Sequence, residues 1–382
     1  MTYETVFFNI LKSSLWGTAI AVPPEFDEWG KVFALAKAQS VLGLVANAVL
    51  SDAEVARRIP ADMQKRLKAF VMSNMATHSM LNNTLVRVFS LLDEAGVRSV
   101  LLKGQGLAKN YPVPELRQCG DIDVYVGEEN YVKSHSLLSQ ISTDIDELDN
   151  LCRGKHFHVN IGNVLVEVHR FAYVHPYPRF NEIYQKYALD GLNHNLVEIY
   201  FGGIKVNVPD DNFNAFYIFN HCWYHIMAQG LGLRQMCDWM LFLHSRYGCL
   251  DCDYLRKLLE DMDLLVPWKV FGCVLVNYLG MPQDEFPLYD SKYATKSILV
   301  LKRILKDGNF GKDTAYVRKR SHSYLYEKWF SLKCHISRSI SMMRIFPGII
   351  RTTSRRITLQ LCCFLQCRFP YILPRKTAGG RR

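Results

Sequence analysis

Two acids one residue apart, Asp121 and Asp123, stand inside the apolar run "DIDVYV", where a buried strand ordinarily carries valine or isoleucine. In an extended strand both project from the same face, about 6.6 Å apart along the chain. Two unpaired buried carboxylates repel one another and are costly to take out of water. A divalent cation held between them reverses that balance and can present a triphosphate. The alternative is a frayed strand start at which both acids are solvated or cap a neighbouring helix. An Asp-x-Asp string alone does not decide between the two.

The residues upstream add weight to the first reading. An apolar strand ending at Leu102 runs into Lys103-Gly104-Gln105-Gly106 and then a short helix, so backbone N–H groups near Gly104 and Gly106 would face an anion such as phosphate. Glycine permits positive φ and leaves no Cβ in the way of a close approach. Lys103 and Arg117 can supply positive charge, and Arg117, just before the acids, suits bidentate phosphate contact. The turn matches neither the P-loop nor the dinucleotide-binding glycine pattern, and a plain strand-to-helix turn would read the same way.

A third acid is expected on a neighbouring strand. In "VLVEVHR" the alternation sets Val164, Val166 and Val168 on one face and Leu165, Glu167 and His169 on the other. Glu167 could bind a second metal or accept a proton from an incoming hydroxyl. His169, with His156 and His158 on the other arm of the hairpin "KHFHVNIGNVLVEVHR", could line the same cleft. His-x-His plus a third histidine also permits a zinc reading.

Around this centre the hydrophobic period changes twice. Residues 1–95 repeat at helical spacing, with 65–92 as one long amphipathic helix. Residues 96–210 alternate strands and helices, with a hairpin turn at Gly162-Asn163 and closing strands at 196–200 and 204–208. Residues 211–300 return to helical spacing, with Phe216, Phe219, Trp223 and Tyr224 as a core stripe. The fold class expected is α+β, a small mixed β-sheet core flanked by N-terminal and C-terminal helical regions. Residues 301–382 form a basic amphipathic extension.

That extension carries 19 Lys+Arg against 3 Asp+Glu, so the net charge of +10 is local and the first 300 residues are net acidic. Within it "VRKRSHSYLYEKWF" and "IIRTTSRRITLQLCCFLQCRF" interleave cations with aromatic and aliphatic groups. Such a stretch could track a nucleic-acid backbone, lie on an anionic membrane, meet a protein partner, or be a solvated helix. Eleven scattered cysteines, the lack of a secretory leader pattern and the lack of a spanning apolar run favour a cytoplasmic, reduced location. The lone Cys249-x-x-Cys252 has no second pair to complete a zinc site.

The stretch "LLKGQGLAKNYPVPELRQCGDIDVYV", followed by "VEVHR" and "HCWYHIMAQGLGLRQMCDWMLFL", resembles the uncharacterised nucleotidyltransferase family of the DNA polymerase β-like superfamily. The family pattern runs roughly L-K-G-x-x-L-A, Y-P, R-x-x-x-D-I-D-L-L-V, then an acid-x-His and a helical H-x-x-x-H, R, D segment. The resemblance extends over roughly residues 1–320 and is most specific at 101–126. It implies Mg²⁺- or Mn²⁺-dependent transfer of a nucleotidyl group from a nucleoside triphosphate to a hydroxyl, with pyrophosphate leaving. Asp121, Asp123 and Glu167 would be the metal-binding acids, and Gly104 and Gly106 would stand beside the triphosphate. His221, His225, Arg234 and Asp238 match the later segment. Arg234 could point to the nucleotide or pair with Asp238 at i, i+4. The sequence departs from the pattern at Gln105, at the interval from Gly104 to Asp121 and at Tyr125, which puts the phosphate-loop geometry in question. A similar pattern in nucleotidyltransferase-type toxins leaves a tRNA-modifying role open, beside a binding protein that keeps the fold without catalysis.

Overall fold

The computed structural model describes residues 1–147, 154–309 and 324–347. Its centre is a seven-stranded mixed sheet in the order β3-β4-β5-β2-β1-β7-β6. The strands are β1 (Val100–Leu101), β2 (Asp121–Tyr125), β3 (Asp144–Ile145), β4 (His156–Ile161), β5 (Val164–His169), β6 (Val197–Phe201) and β7 (Ile204–Val208). β4 and β5 form the expected hairpin, as do β6 and β7, while β2 runs parallel to β5 and antiparallel to β1. This parallel pairing at the centre sets Asp123 directly opposite Glu167.

One face of the sheet is apolar. Ile122 and Val124 of β2, Phe157 and Val159 of β4, and Val164, Val166 and Val168 of β5 are buried on it. Helix α5 (Ala61–Glu94) covers this face with Leu81, Leu85, Val88, Phe89 and Leu92, residues three or four apart along one side of the helix. Tyr131 and Leu138 of α7 (Gly127–Leu138) complete the layer. Between α5 and α7 lies α6 (Gln105–Ala108), a helix of only four residues after the Lys-Gly turn.

The remaining helices build a second apolar cluster. It joins α1 (Tyr3–Trp16), α2 (Trp29–Ala38), α3 (Leu42–Ser51) and the short α4 (Ala53–Arg57) to a later set. That set is α8 (Pro178–Asn193), α9 (Asp211–Ala228), α10 (Leu233–Ser245), α11 (Cys252–Asp261), α12 (Leu265–Leu279), α13 (Ala294–Asp307) and α14 (Tyr324–Ile345). The indole N–H of Trp16 donates to the carbonyl of Leu279 (2.6 Å), so the first helix is tied to the end of α12. Helical segments on either side of the sheet region in sequence thus pack into one core in space. Among them, α8 was not anticipated, although Phe180, Tyr184 and Ala188 are buried at four-residue spacing behind an N-terminal proline.

Helix α9 begins at Asp210, whose carboxylate caps the N–H groups of Asn212 and Phe213 at 3.0 Å each. The helix then carries the stripe of aromatics into the core, with Phe216 and Phe219 fully buried. No helix among the described residues is long and apolar enough to cross a membrane. Of the basic segments, "IIRTTSRRITLQLCCFLQCRF" and the first half of "VRKRSHSYLYEKWF" lie outside the described residues.

Candidate active site

The charged side of the sheet opens under α9 and α10. β1 ends early, but the N–H of Leu102 still donates to the carbonyl of Asp123 (3.0 Å), so the pairing delivers the next residue, Lys103, beside β2. Its ammonium lies 3.0 Å from Asp123 Oδ1. Gly104 then turns the chain at φ +59°, and a Cβ there would stand 3.3 Å from the carbonyl oxygen of Asp121. A glycine is therefore required for the Lys103 segment to close this tightly on the start of β2.

On the next strand, Glu167 and His169 face the same way as Asp123, as their alternation implied. His169 Nε2 is 3.0 Å from Asp123 Oδ1 and 3.6 Å from Glu167 Oε2. The ligand atoms of Asp123, Glu167 and His169 all fall within 4.8 Å of one another. Asp121 is outside that trio but lines the same cleft, together with Lys103, Gly104, Asp123, His221 and Arg234.

The charges in this cleft act on one another strongly. Burial raises the Asp121 carboxyl above its usual range, Asp123 and Glu167 raise it further, and Lys103 and Arg234 only partly offset them. For Asp123 burial acts upward too, but Lys103 and His169 outweigh it and hold the carboxyl far below the usual range. Burial acts to lower the Lys103 pKa, but Asp123, Asp121 and Glu167 outweigh it and raise the ammonium above its usual range. The acids thus repel one another through Asp121 while one lysine neutralises Asp123.

Helix α9 roofs the acids with Tyr217, His221 and His225, one residue per turn. Burial, with Asp123 and Glu167 next, drives the Tyr217 hydroxyl well above its usual pKa. The two imidazoles stack with centroids 4.3 Å apart and Nε2 atoms 3.0 Å apart. Burial and then Lys103 push His221 well below the usual histidine range, and His225 down to about 3. Both are neutral rings at neutral pH.

Three expectations need correction. Arg117 lines the cleft but is not a free phosphate ligand: its Nε and Nη2 donate to the two oxygens of Asp238 at 2.6 and 2.8 Å, and both residues are buried. Asp238 consequently does not pair with Arg234. It accepts from Arg117 and from the hydroxyl of Tyr111 (2.7 Å), while Arg234 Nη1 donates to the carbonyl of Gln118 (2.9 Å). A planar guanidinium arriving from a neighbouring segment satisfies both carboxylate oxygens at once. The phosphate loop also differs. Gly106 faces Leu101 and Val208 in the packed interior, with room for only a tight Cβ (3.3 Å to Leu101), and α6 is too short to carry a substantial dipole. Arg234 keeps a buried Nε with no hydrogen-bond partner among the described residues.

Sequence reasoning missed Asp146, Tyr111 and Gln118. Asp146 accepts from the Nδ1–H (3.0 Å) and backbone N–H (2.8 Å) of His158. Nothing local in the sequence signals these roles, because each partner is distant in the chain.

A seven-stranded mixed sheet flanked by helices, with acids from two parallel central strands on one face, is consistent with a nucleotidyltransferase-type α+β fold. Residues 26–275 match the family described as "Uncharacterised nucleotidyltransferase", and the chain belongs to that family. No curated protein and no solved structure matches it.

Proposed function

We propose that the protein transfers a nucleoside monophosphate from a nucleoside triphosphate to a hydroxyl group, releasing pyrophosphate. The observation that carries this reading is the convergence of Asp121, Asp123 and Glu167 on one sheet face beneath a charged lysine and Arg234. The donor set fits Mg²⁺ or Mn²⁺: oxygen ligands and mutual repulsion that a cation relieves. A bound divalent ion would neutralise triphosphate charge and make the acceptor hydroxyl easier to deprotonate.

The chain's own groups supply the rest. Lys103 and the Nε of Arg234, which has no partner among the described residues, seat phosphate oxygens, and Gly104 lets the Lys103 turn close on the start of β2. Glu167, 23 % exposed, takes the proton of the attacking hydroxyl in this reading. Oxygen attacks the α-phosphorus, the bond from the α-phosphorus to the β-phosphate oxygen breaks, and pyrophosphate carries the charge away. The neutral His221–His225 pair closes the roof without adding competing positive charge. Arg117 acts on the site through Asp238 and Tyr111, which fix α10 against the Tyr111 loop.

The test uses Mg²⁺, each α-³²P-labelled nucleoside triphosphate and a cell extract, with the wild type beside an Asp121→Ala/Asp123→Ala variant. Label entering RNA, protein or a small molecule only with the wild type supports the reading and names the acceptor class. Transfer that survives the double substitution sinks it.

A further inference from the structure

The hairpin arm next to the acids carries a second group of ligands. His156 and His158 share a face of β4, and cross-strand pairing sets His158 opposite Glu167 and His156 opposite His169. The ligand atoms of His156, His158 and Glu167 all lie within 4.8 Å of one another, and all three residues are part-exposed. Around a tetrahedral zinc ion, ligand atoms stand about 3.3 Å apart, given metal–ligand bonds of about 2.0 Å. His158 Nε2 and Glu167 Oε1 are already 3.5 Å apart.

The decisive feature lies behind His158. Asp146 on the loop after β3 accepts from His158 Nδ1, which turns Nε2 toward Glu167, 3.5 Å from Oε1. The same carboxylate accepts from the His158 backbone N–H, and the Asp146 N–H donates to the His158 carbonyl at 3.0 Å, so the orientation is locked from both sides. A carboxylate holding the far nitrogen of an imidazole is the arrangement that orients metal-ligating histidines and raises their basicity. The nearest imidazole outside this group, His169, has its Nε2 engaged by Asp123 and is not counted as a ligand.

We propose that His156, His158 and Glu167 bind a divalent transition-metal ion of the zinc type, at a site that adjoins the Asp121–Asp123 cleft and shares Glu167 with it, with Asp146 as the positioning residue. Two imidazoles and one carboxylate select zinc over Mg²⁺, which favours all-oxygen shells. Three protein ligands leave a coordination position open, as in exchangeable rather than purely structural sites. Lys103 and Lys155 both lie within electrostatic reach of Glu167 and offset part of the acidic charge, so affinity rests on the imidazole donors. Glu167 belongs to both ligand groups, and an ion on the histidine side therefore draws on the acid that the cleft also uses.

The test is zinc titration of untagged, chelator-stripped full-length protein in millimolar Mg²⁺, by calorimetry, with Co²⁺ absorption as a second readout. The expected result is one zinc per chain that Mg²⁺ does not displace. Affinity should fall at least tenfold in His156→Gln/His158→Gln and about 10- to 100-fold in Asp146→Asn. Asp123→Asn should retain zinc. The visible Co²⁺ bands should vanish in the double-histidine variant while its circular dichroism stays that of the wild type. Absence of zinc binding, displacement by Mg²⁺, equal affinity in the double-histidine variant, or loss on Asp123→Asn each overturns the proposal.

Discussion

The two faces of the sheet are made by the same strands and obey opposite rules. On the α5 side every inward position of β2, β4 and β5 is an aliphatic or aromatic side chain, and stability comes from burying them. On the α9 side the intervening positions hold Asp121, Asp123, His156, His158, Glu167 and His169, whose charges are managed by pairing rather than removed. The period of two in a strand lets one face carry the fold and the other the chemistry, with little cross-talk between them. Substitutions should therefore separate activity from stability according to face.

The largest expected effect is on the charged face. Asp123→Asn should lower nucleotidyl transfer on the order of 10³-fold. Chemical denaturation should show a much smaller change, because Lys103, 22 % exposed, can turn to Asp121 or to solvent. An equally large loss of stability would erase the distinction between the faces.

Next comes the buried ion pair at the edge of the cleft. Asp238→Ala leaves the Arg117 guanidinium charged and buried, at an expected cost of about 3–5 kcal/mol in urea unfolding. Were Arg117 a phosphate ligand instead, the dominant change would be a raised KM for the nucleotide at unchanged stability. On the apolar face, Leu85→Ala should cost about 2–5 kcal/mol and leave kcat of the folded fraction unaltered. The smallest effect is at the turn that joins the faces. Gly104→Ala forces an alanine to φ +59° at about 1–3 kcal/mol, and should weaken nucleotide affinity, read by equilibrium binding of a labelled triphosphate.

What could be read from the sequence follows the range of the interactions. The Asp121–Asp123 strand, the hairpin about Gly162-Asn163 and the orientation of Glu167 depend on strand alternation and turn chemistry, and all three appear where spacing put them. The fate of Arg117 was not legible, since its partner Asp238 lies 121 residues away and is brought close only by the packing of α10. Spacing offered Arg234 to Asp238, and a bidentate fork from elsewhere outcompeted it. Likewise the lysine of the Lys-Gly turn could be assigned to phosphate, but not its contact with Asp123, which depends on how β1 registers against β2. The neutral histidine roof depends on burial in the packed core, which no local pattern reports.

The central claim is that the acids of the charged face direct attack to the α-phosphorus. Its most direct test runs α-³²P- and γ-³²P-labelled triphosphate in parallel with Mg²⁺ and the acceptor fraction, for wild type and Asp123→Asn. The expected result is α-label in the acceptor and γ-label in pyrophosphate, both lost in the variant. Label from the γ position in the acceptor, or α-label transferred undiminished by Asp123→Asn, would contradict it.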